Sequence, residues 1–398
     1  MVKTHAKTTG SSAERKSHYT ARSSPESTER LLQQETGEQP NRTLLKHPDS
    51  NPDFATIRVV SRAVLFIFKQ CYLTCGISSV VIFLVYTYCS SVLAVLMLLL
   101  SIASLVYQLA DLLLFHPNQP PHSRLYVPSP TMLGLPTESL RLETADDVSL
   151  HAFFIKQPPP LFSQAVTLLY FHGNAGNVGH RLLNVEGLFR HCGCNILLLE
   201  YRGYGRSEGS PSEEGLYLDA EAGLQYLLQH SGVDQSLIVL FGRSLGGAVA
   251  LHLASRPEYG SRIFGVVVEN TFTSIPDMAR ALLHWKLLQW LPDFCYKSQF
   301  QSIRKVARMK TPILFISGLS DRLTPPVMMQ RLYKECKSGV KRLVTFESGT
   351  HNETWQCKGY YNCLTSFFHC LVHRRFQDKE MPSWPAEHAC IRIPPETI

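Results

Sequence analysis

The run Phe241-Gly242-Arg243-Ser244-Leu245-Gly246-Gly247 sets a serine between two glycines. An apolar stretch, Leu237 to Phe241, precedes it, and a small-residue stretch, Ala248 to Ala254, follows it. G-x-S-x-G at a strand-to-helix turn is the spacing of a nucleophile elbow. Such a turn is strained and crowded, so the flanking positions leave no room for side chains. It would raise the Ser244 hydroxyl above a sheet and aim the Leu245 amide at a developing oxyanion. A serine hydroxyl is a poor nucleophile at neutral pH. It needs an imidazole to take its proton and a carboxylate to orient that imidazole. By itself the motif also fits a glycine-rich turn that merely packs.

The partners come in the order Ser, acid, His. Pro312 to Ser317 reads as a buried strand, and Gly318-Leu319-Ser320-Asp321 follows it. Arg342 to Phe346 reads as the next strand, with Gly349-Thr350-His351 after it. Asp321 and His351 thus belong to loops at strand C-termini, the edge where open α/β sheets place their sites. Glu269, ending Val266-Val267-Val268-Glu269, is the rival acid one strand earlier. An Asp in such a place is otherwise a turn or capping residue. A second oxyanion donor is expected from His172-Gly173-Asn174-Ala175-Gly176-Asn177, after the strand Ala165 to Phe171. Asn174 is preferred over Ala175 as that donor, beside Leu245. His172 reads as structural.

These residues require a doubly wound, mostly parallel sheet. Leu140–Thr144 and Val148–Lys156 read as a hairpin that starts it. Further strands are expected at Ala165–Phe171, Asn195–Glu200, Leu237–Phe241, Phe264–Glu269, Pro312–Ser317 and Arg342–Phe346, with helical patterns between them. Tyr201 to Ser207 reads as a glycine-rich structural turn near the site. Met278 to Phe300, within about 276–305, reads as a small helical lid. The apolar stripe from Ala281 to Leu291, with Trp285 and Trp290, would pack as core or receive an acyl chain, and Pro292 ends it.

His172 to Arg181 (HGNAGNVGHR), Glu200 to Gly209 (EYRGYGRSEG), Gly242 to Ala250 (GRSLGGAVA), Glu269 to Ile275 (ENTFTSI) and Gly318 to Met329 (GLSDRLTPPVMM) together resemble the α/β-hydrolase domain-containing family. The resemblance spans roughly residues 85–372. It implies an α/β-hydrolase fold with an eight-stranded sheet and a membrane-bound serine hydrolase, with Ser244, Asp321 and His351 as the triad. Relatives of this kind include protein depalmitoylases and lysophospholipid hydrolases.

The chain of 398 residues carries a net charge of +7, but no Lys/Arg block with interleaved aromatics, so nucleic acid is not expected as a partner. No phosphate loop, zinc-spaced set or dinucleotide fingerprint occurs, and neither a metal nor an organic cofactor is expected. Residues 1–55 are polar and read as disordered, and 376–398 read as a flexible tail. From Cys71 to Tyr107 no charged side chain occurs; one bilayer crossing takes about 20 apolar residues. A membrane helix is expected near 87–107, within an anchoring region 56–115, followed by an extended proline-rich linker at 116–137. Arg58, Arg62 and Lys69 before it favour a cytosolic N-terminus. A single crossing is preferred and would put the hydrolase domain, 138–375, in the lumen or outside. A second segment, Ala63 to Phe83, would instead form a hairpin. Asn352-Glu353-Thr354 is a glycosylation acceptor beside His351, usable only in a lumenal domain. The cysteines show no disulfide framework and read as free and packed.

The expected chemistry is hydrolysis of an ester or thioester of a lipid or lipidated substrate at a bilayer, through an acyl-enzyme on Ser244. A serine peptidase and a catalytically silent scaffold on the same fold are the alternatives.

Overall fold

The computed structural model describes residues 72–282 and 292–377. The polar region 1–55, the charges at Arg58, Arg62 and Lys69, the lid tryptophans and the tail from 378 lie outside the described residues.

Eight strands form one sheet: β1 (Thr137–Glu143), β2 (Ser149–Ile155), β3 (Thr167–Phe171), β4 (Asn195–Leu199), β5 (Ile238–Arg243), β6 (Gly265–Glu269), β7 (Ile313–Gly318) and β8 (Lys341–Phe346). Their spatial order is β1-β2-β4-β3-β5-β6-β7-β8. β2 runs antiparallel to β1 and β4, and every other pairing is parallel. This is the mostly parallel eight-stranded sheet expected from the sequence. Ile238-Val239-Leu240-Phe241 shows why its strands read as unbroken apolar runs. Ile238 and Leu240 enter one core, and Val239 and Phe241 the other. Both faces are covered by helices, so neither alternate set meets water.

The described helices are α1 (72–88), α2 (Ser91–Leu114), α3 (Leu182–Cys192), α4 (Glu213–Gln229), α5 (Leu245–Ser255), α6 (Pro257–Gly260), α7 (Ile275–Leu282), α8 (Ser302–Val306), α9 (Pro326–Glu335) and α10 (Tyr360–Gln377). Buried residues of α4, α5 and α9 fill the first core, and those of α3 and α10 the second. Between α7 and α8, Asp293 accepts from Arg280 at 2.6 Å, while the Ile275 amide donates to the Gln299 carbonyl at 2.8 Å and ties the start of α7 to the stretch before α8.

Two expectations outside the sheet are corrected. The apolar helix near 87–107 is broken at Cys89-Ser90. Ser90 is extended (φ −160°, ψ 133°) as the residue before α2, and the amides of Cys89 and Ser90 both donate to the Val85 carbonyl, at 2.9 and 3.0 Å. Beyond this turn α2 runs back along α1: Thr74 and Cys75 share a cavity with Ser104 and Gln108, at the end away from the turn. The geometry is a helical hairpin. Among the described residues no helix is long and apolar enough to cross a membrane.

The second correction is the proline-rich linker. Residues 116–137 do not stand free. Ser123, Val127 and Leu135 are buried. Asn177 Nδ2 donates to the carbonyls of Ser123 and Tyr126, at 2.6 and 2.8 Å, and Arg124 Nη1 donates to the Gly203 carbonyl at 2.5 Å. Prolines restrict the chain, but these contacts fasten it to the domain as a strap. Among the described residues Cys194, Cys336 and Cys363 are buried free thiols, and Cys370 is buried as well.

Candidate active site

β5 delivers Arg243 and Ser244 to the C-terminal edge of the sheet, and α5 begins at the next residue. Ser244 sits at φ +53°, ψ −118°, a conformation costing about 1–3 kcal/mol for a residue with a side chain. The glycines explain how the turn closes. A Cβ on Gly242 would lie 2.2 Å from the Gly246 carbonyl oxygen, and one on Gly246 would lie 2.1 Å from that of Phe171. Two bonds hold the strained residue: the Ser244 amide donates to the Glu269 carbonyl at 2.9 Å, and Thr271 Oγ1 donates to the Ser244 carbonyl at 2.7 Å.

Ser244, His351 and Asp321 form one hydrogen-bonded chain. His351 Nε2 lies 3.1 Å from Ser244 Oγ, and His351 Nδ1 lies 2.7 Å from Asp321 Oδ2. Asp321 Oδ1 accepts the amides of Leu323 and Thr324, both at 2.8 Å, so both carboxylate oxygens are occupied and the orientation is fixed. The Asp321 side chain is 1% exposed and that of His351 13%. The hydrogen bond between them is shielded while the imidazole keeps access to a substrate.

Glu269 does not reach the imidazole. It is fully buried and accepts from the Tyr360 hydroxyl at 2.5 Å. Burial pushes its carboxyl up, against the pull of the Arg243 guanidinium, whose Nε lies 3.7 Å away. Arg243 Nη2 reaches the other way, to the His351 carbonyl at 2.9 Å and Asn352 Oδ1 at 2.6 Å. Asn270 Nδ2 donates to the Thr350 and His351 carbonyls, at 3.0 and 3.3 Å. Arg243 and Asn270 therefore clamp the histidine loop from the elbow strand and its neighbour. Both lie in the motifs that carry the family resemblance, but nothing in the sequence assigned them this clamping role. Asn352 is exposed, with its Oδ1 engaged by Arg243.

The loop after β3 passes beside the serine: a Cβ on Gly173 would lie 3.6 Å from Ser244 Cβ. Leu245 opens α5, so its amide is among those a helix leaves without an internal acceptor. The Asn174 side chain is fixed on three sides. Its Nδ2 donates to the Leu114 carbonyl at 2.6 Å, and its Oδ1 accepts from the Tyr204 hydroxyl at 2.8 Å and the His116 amide at 3.4 Å. His172 is buried, 3.3 Å from Glu200 and against the Tyr201 ring, as suits a structural residue. The Tyr201–Ser207 turn is likewise structural: Arg202 lies between Asp146 and Asp219, at 2.6 and 2.7 Å. Among the described residues no group of three or more His, Cys, Asp or Glu side chains is placed to hold a metal ion.

Strand order, elbow and histidine loop together define an α/β-hydrolase fold, and a family model for the alpha/beta hydrolase fold matches residues 166–291. The chain belongs to the alpha/beta hydrolase domain-containing family. It is 39% identical over 270 residues, 64% of this chain and 85% of the relative, to the alpha/beta hydrolase domain-containing protein WAV2 of Arabidopsis thaliana. Over 264 residues it is 36% identical to the uncharacterized membrane protein YNL320W of Saccharomyces cerevisiae, covering 66% of this chain and 89% of that one. Among solved structures, the esterase Pf2001 of Pyrococcus furiosus superposes with a TM-score of 0.51 at 20% identity, over 61% of this chain and 94% of the esterase. At that identity the likeness is one of fold.

Proposed function

We propose that this protein is a serine hydrolase that cleaves an ester or thioester of a lipid acyl group at a membrane surface. The observation that carries the reading is the hydrogen-bonded chain from Ser244 through His351 to Asp321. Ser244 Oγ attacks the acyl carbonyl while His351 Nε2 takes its proton. Asp321 holds the Nδ1–H tautomer and stabilises the imidazolium without being protonated. The amides of Leu245 and Asn174 receive the oxyanion, and His351 then protonates the leaving alkoxide or thiolate. Water, activated by the same imidazole, releases the acid and restores Ser244. The residues used need no metal or organic cofactor.

The hairpin is the proposed anchor. Phe83 and Leu84 on α1 and Val92, Leu99 and Leu100 on α2 expose large apolar side chains, which water disfavours and a bilayer accepts. Its turn satisfies the amides of Cys89 and Ser90 internally, which suits an element dipping into lipid. Helices that enter and return keep residue 72 and the hydrolase domain on one side. With Arg58, Arg62 and Lys69 preceding it in the sequence, that side is the cytosol. Palmitoylated proteins and cytosolic-leaflet lipids are then within reach, and Asn352 goes unglycosylated. The printed name of the yeast relative, a membrane protein, supports an anchor.

The test is fluorophosphonate labelling and acyl-thioester hydrolysis by the full chain in vesicles, against Ser244→Ala. Labelling and turnover that vanish together in the variant are expected. A wild-type protein that neither labels nor turns over would sink the enzyme reading, and preference for peptides over acyl esters would replace it with a peptidase.

A further inference from the structure

We propose that the Asn174 side chain is a positioning group that ties the oxyanion loop to the end of helix α2, so that the loop is set for catalysis only while that helix end is docked. The inference rests on the proposed hydrolase reading and adds to it a dependence of the site on the anchor.

The loop needs such a group. It contains Gly173 and Gly176, the latter at φ +81°, and glycines give the backbone freedom rather than rigidity. An oxyanion donor works only when held within a few tenths of an ångström of its place. Asn174 supplies the hold through its side chain, and its own amide is the proposed oxyanion donor. The Leu114 carbonyl can only accept and the His116 amide can only donate, so the side-chain amide is set with Nδ2 on Leu114 and Oδ1 on His116 and Tyr204. The next residue is held too: Ala175 forms a parallel bridge with His116. Residues 114–116 thus grip two consecutive positions of the loop.

That grip is itself anchored. Phe115 is buried, its ring edge-on to Phe300 at 6.2 Å. Asp111, in the last turn of α2, pairs with Lys297 at 2.6 Å and accepts from Ser298 Oγ at 3.0 Å. The end of α2, the stretch before α8 and the loop after β3 therefore meet in one joint, and the helix entering that joint is one of the two that carry exposed apolar side chains.

The experiment uses the full chain in vesicles, with an acyl thioester as substrate and an alkyl trifluoromethyl ketone as the probe of the tetrahedral state. Asn174→Ala keeps the backbone amide and loses all three side-chain bonds. It should lower kcat about 100-fold, the scale of a misplaced oxyanion donor, leave KM within about 3-fold, and weaken ketone binding by the same factor as kcat/KM. Tyr204→Phe should lower kcat about 10-fold, and the double variant should be no worse than Asn174→Ala, because both act through one amide. A merely structural role would lower melting temperature without making ketone affinity follow kcat/KM. Unchanged kcat in Asn174→Ala, or ketone affinity that does not follow it, overturns the inference. If Asn174→Ala does not fold, Tyr204→Phe decides by the same two readings. Ser244→Ala separates the two claims. If it still hydrolyses the thioester, the hydrolase reading falls. If it is inactive while Asn174→Ala is fully active, only the positioning role falls.

Discussion

The main chain of Glu269 accepts the amide of Ser244 at 2.9 Å, so the rival acid holds the nucleophile's backbone while its carboxylate turns away to Tyr360 and Arg243. Glu269→Gln should therefore keep kcat within a few-fold of wild type. It should cost stability, about 3 kcal/mol, because Arg243 loses its buried counter-charge. Urea unfolding and steady-state kinetics on the same samples check both halves. A 10³-fold loss of kcat without destabilisation would make Glu269 the catalytic acid.

Asp321→Asn preserves shape but removes the charge and favours the wrong imidazole tautomer. With Oδ2 at 2.7 Å from His351 Nδ1, kcat should fall by about 10⁴-fold with little change in KM. Pre-steady-state acylation with a chromogenic ester would locate the loss in the step that deprotonates Ser244. Retention of more than a tenth of the wild-type rate would remove Asp321 from the mechanism.

Gly246→Ala tests the packing that shapes the elbow. The new methyl would meet the carbonyl oxygens of Phe171 and His172, at 2.1 and 2.7 Å, and neither is a flexible side-chain end. α5 must move away from β3, at a cost of at least about 1–3 kcal/mol. A shift near 1 Å at the nucleophile costs about 10²-fold in rate. Thermal melts and fluorophosphonate labelling rates should both fall; a variant equal to wild type in both would refute the account of the turn.

One buried histidine, His151, and one half-buried, His252, give the fold an acid sensitivity. Burial, aided by Arg206 and Arg141, lowers His151 from 6.5 to about 4, and burial with Lys305 and Arg256 lowers His252 to about 3. Between those values and 6.5 the unfolded chain binds protons that the folded chain does not. Their contribution is complete above pH 6.5 and is lost as pH falls toward 4, by up to about 1.4 kcal/mol per pH unit for each. Melting temperature should drop from pH 7.5 to 5.0 in wild type and drop less in His151→Gln/His252→Gln. Identical slopes would exclude these residues as the cause.

The sequence carried the sheet and the three site positions because each is a local pattern. Strands buried on both faces read as short apolar runs, and Ser244, Asp321 and His351 each follow one. The hairpin turn at Cys89-Ser90 was not legible, since the chain is equally apolar on both sides and neither glycine nor proline marks the break. The contacts that stiffen the site were hidden for another reason. Arg243 with His351, Asn270 with Thr350, and Asn174 with Leu114 are far apart in the chain, and no periodicity records them. The strap at 116–137 read as a linker because its prolines and polar residues look the same whether the chain is packed or free.

That strap changes where the catalytic unit begins. The strands start at Thr137, yet Phe115, Val127 and Leu135 are buried in the domain. Leu114 and His116 complete the hydrogen bonding of the loop beside the nucleophile. A fragment trimmed to the first strand would therefore bare apolar surface and leave Asn174 short of two partners. The smallest piece worth purifying starts no later than Asp111, and it brings the end of the second hairpin helix with it.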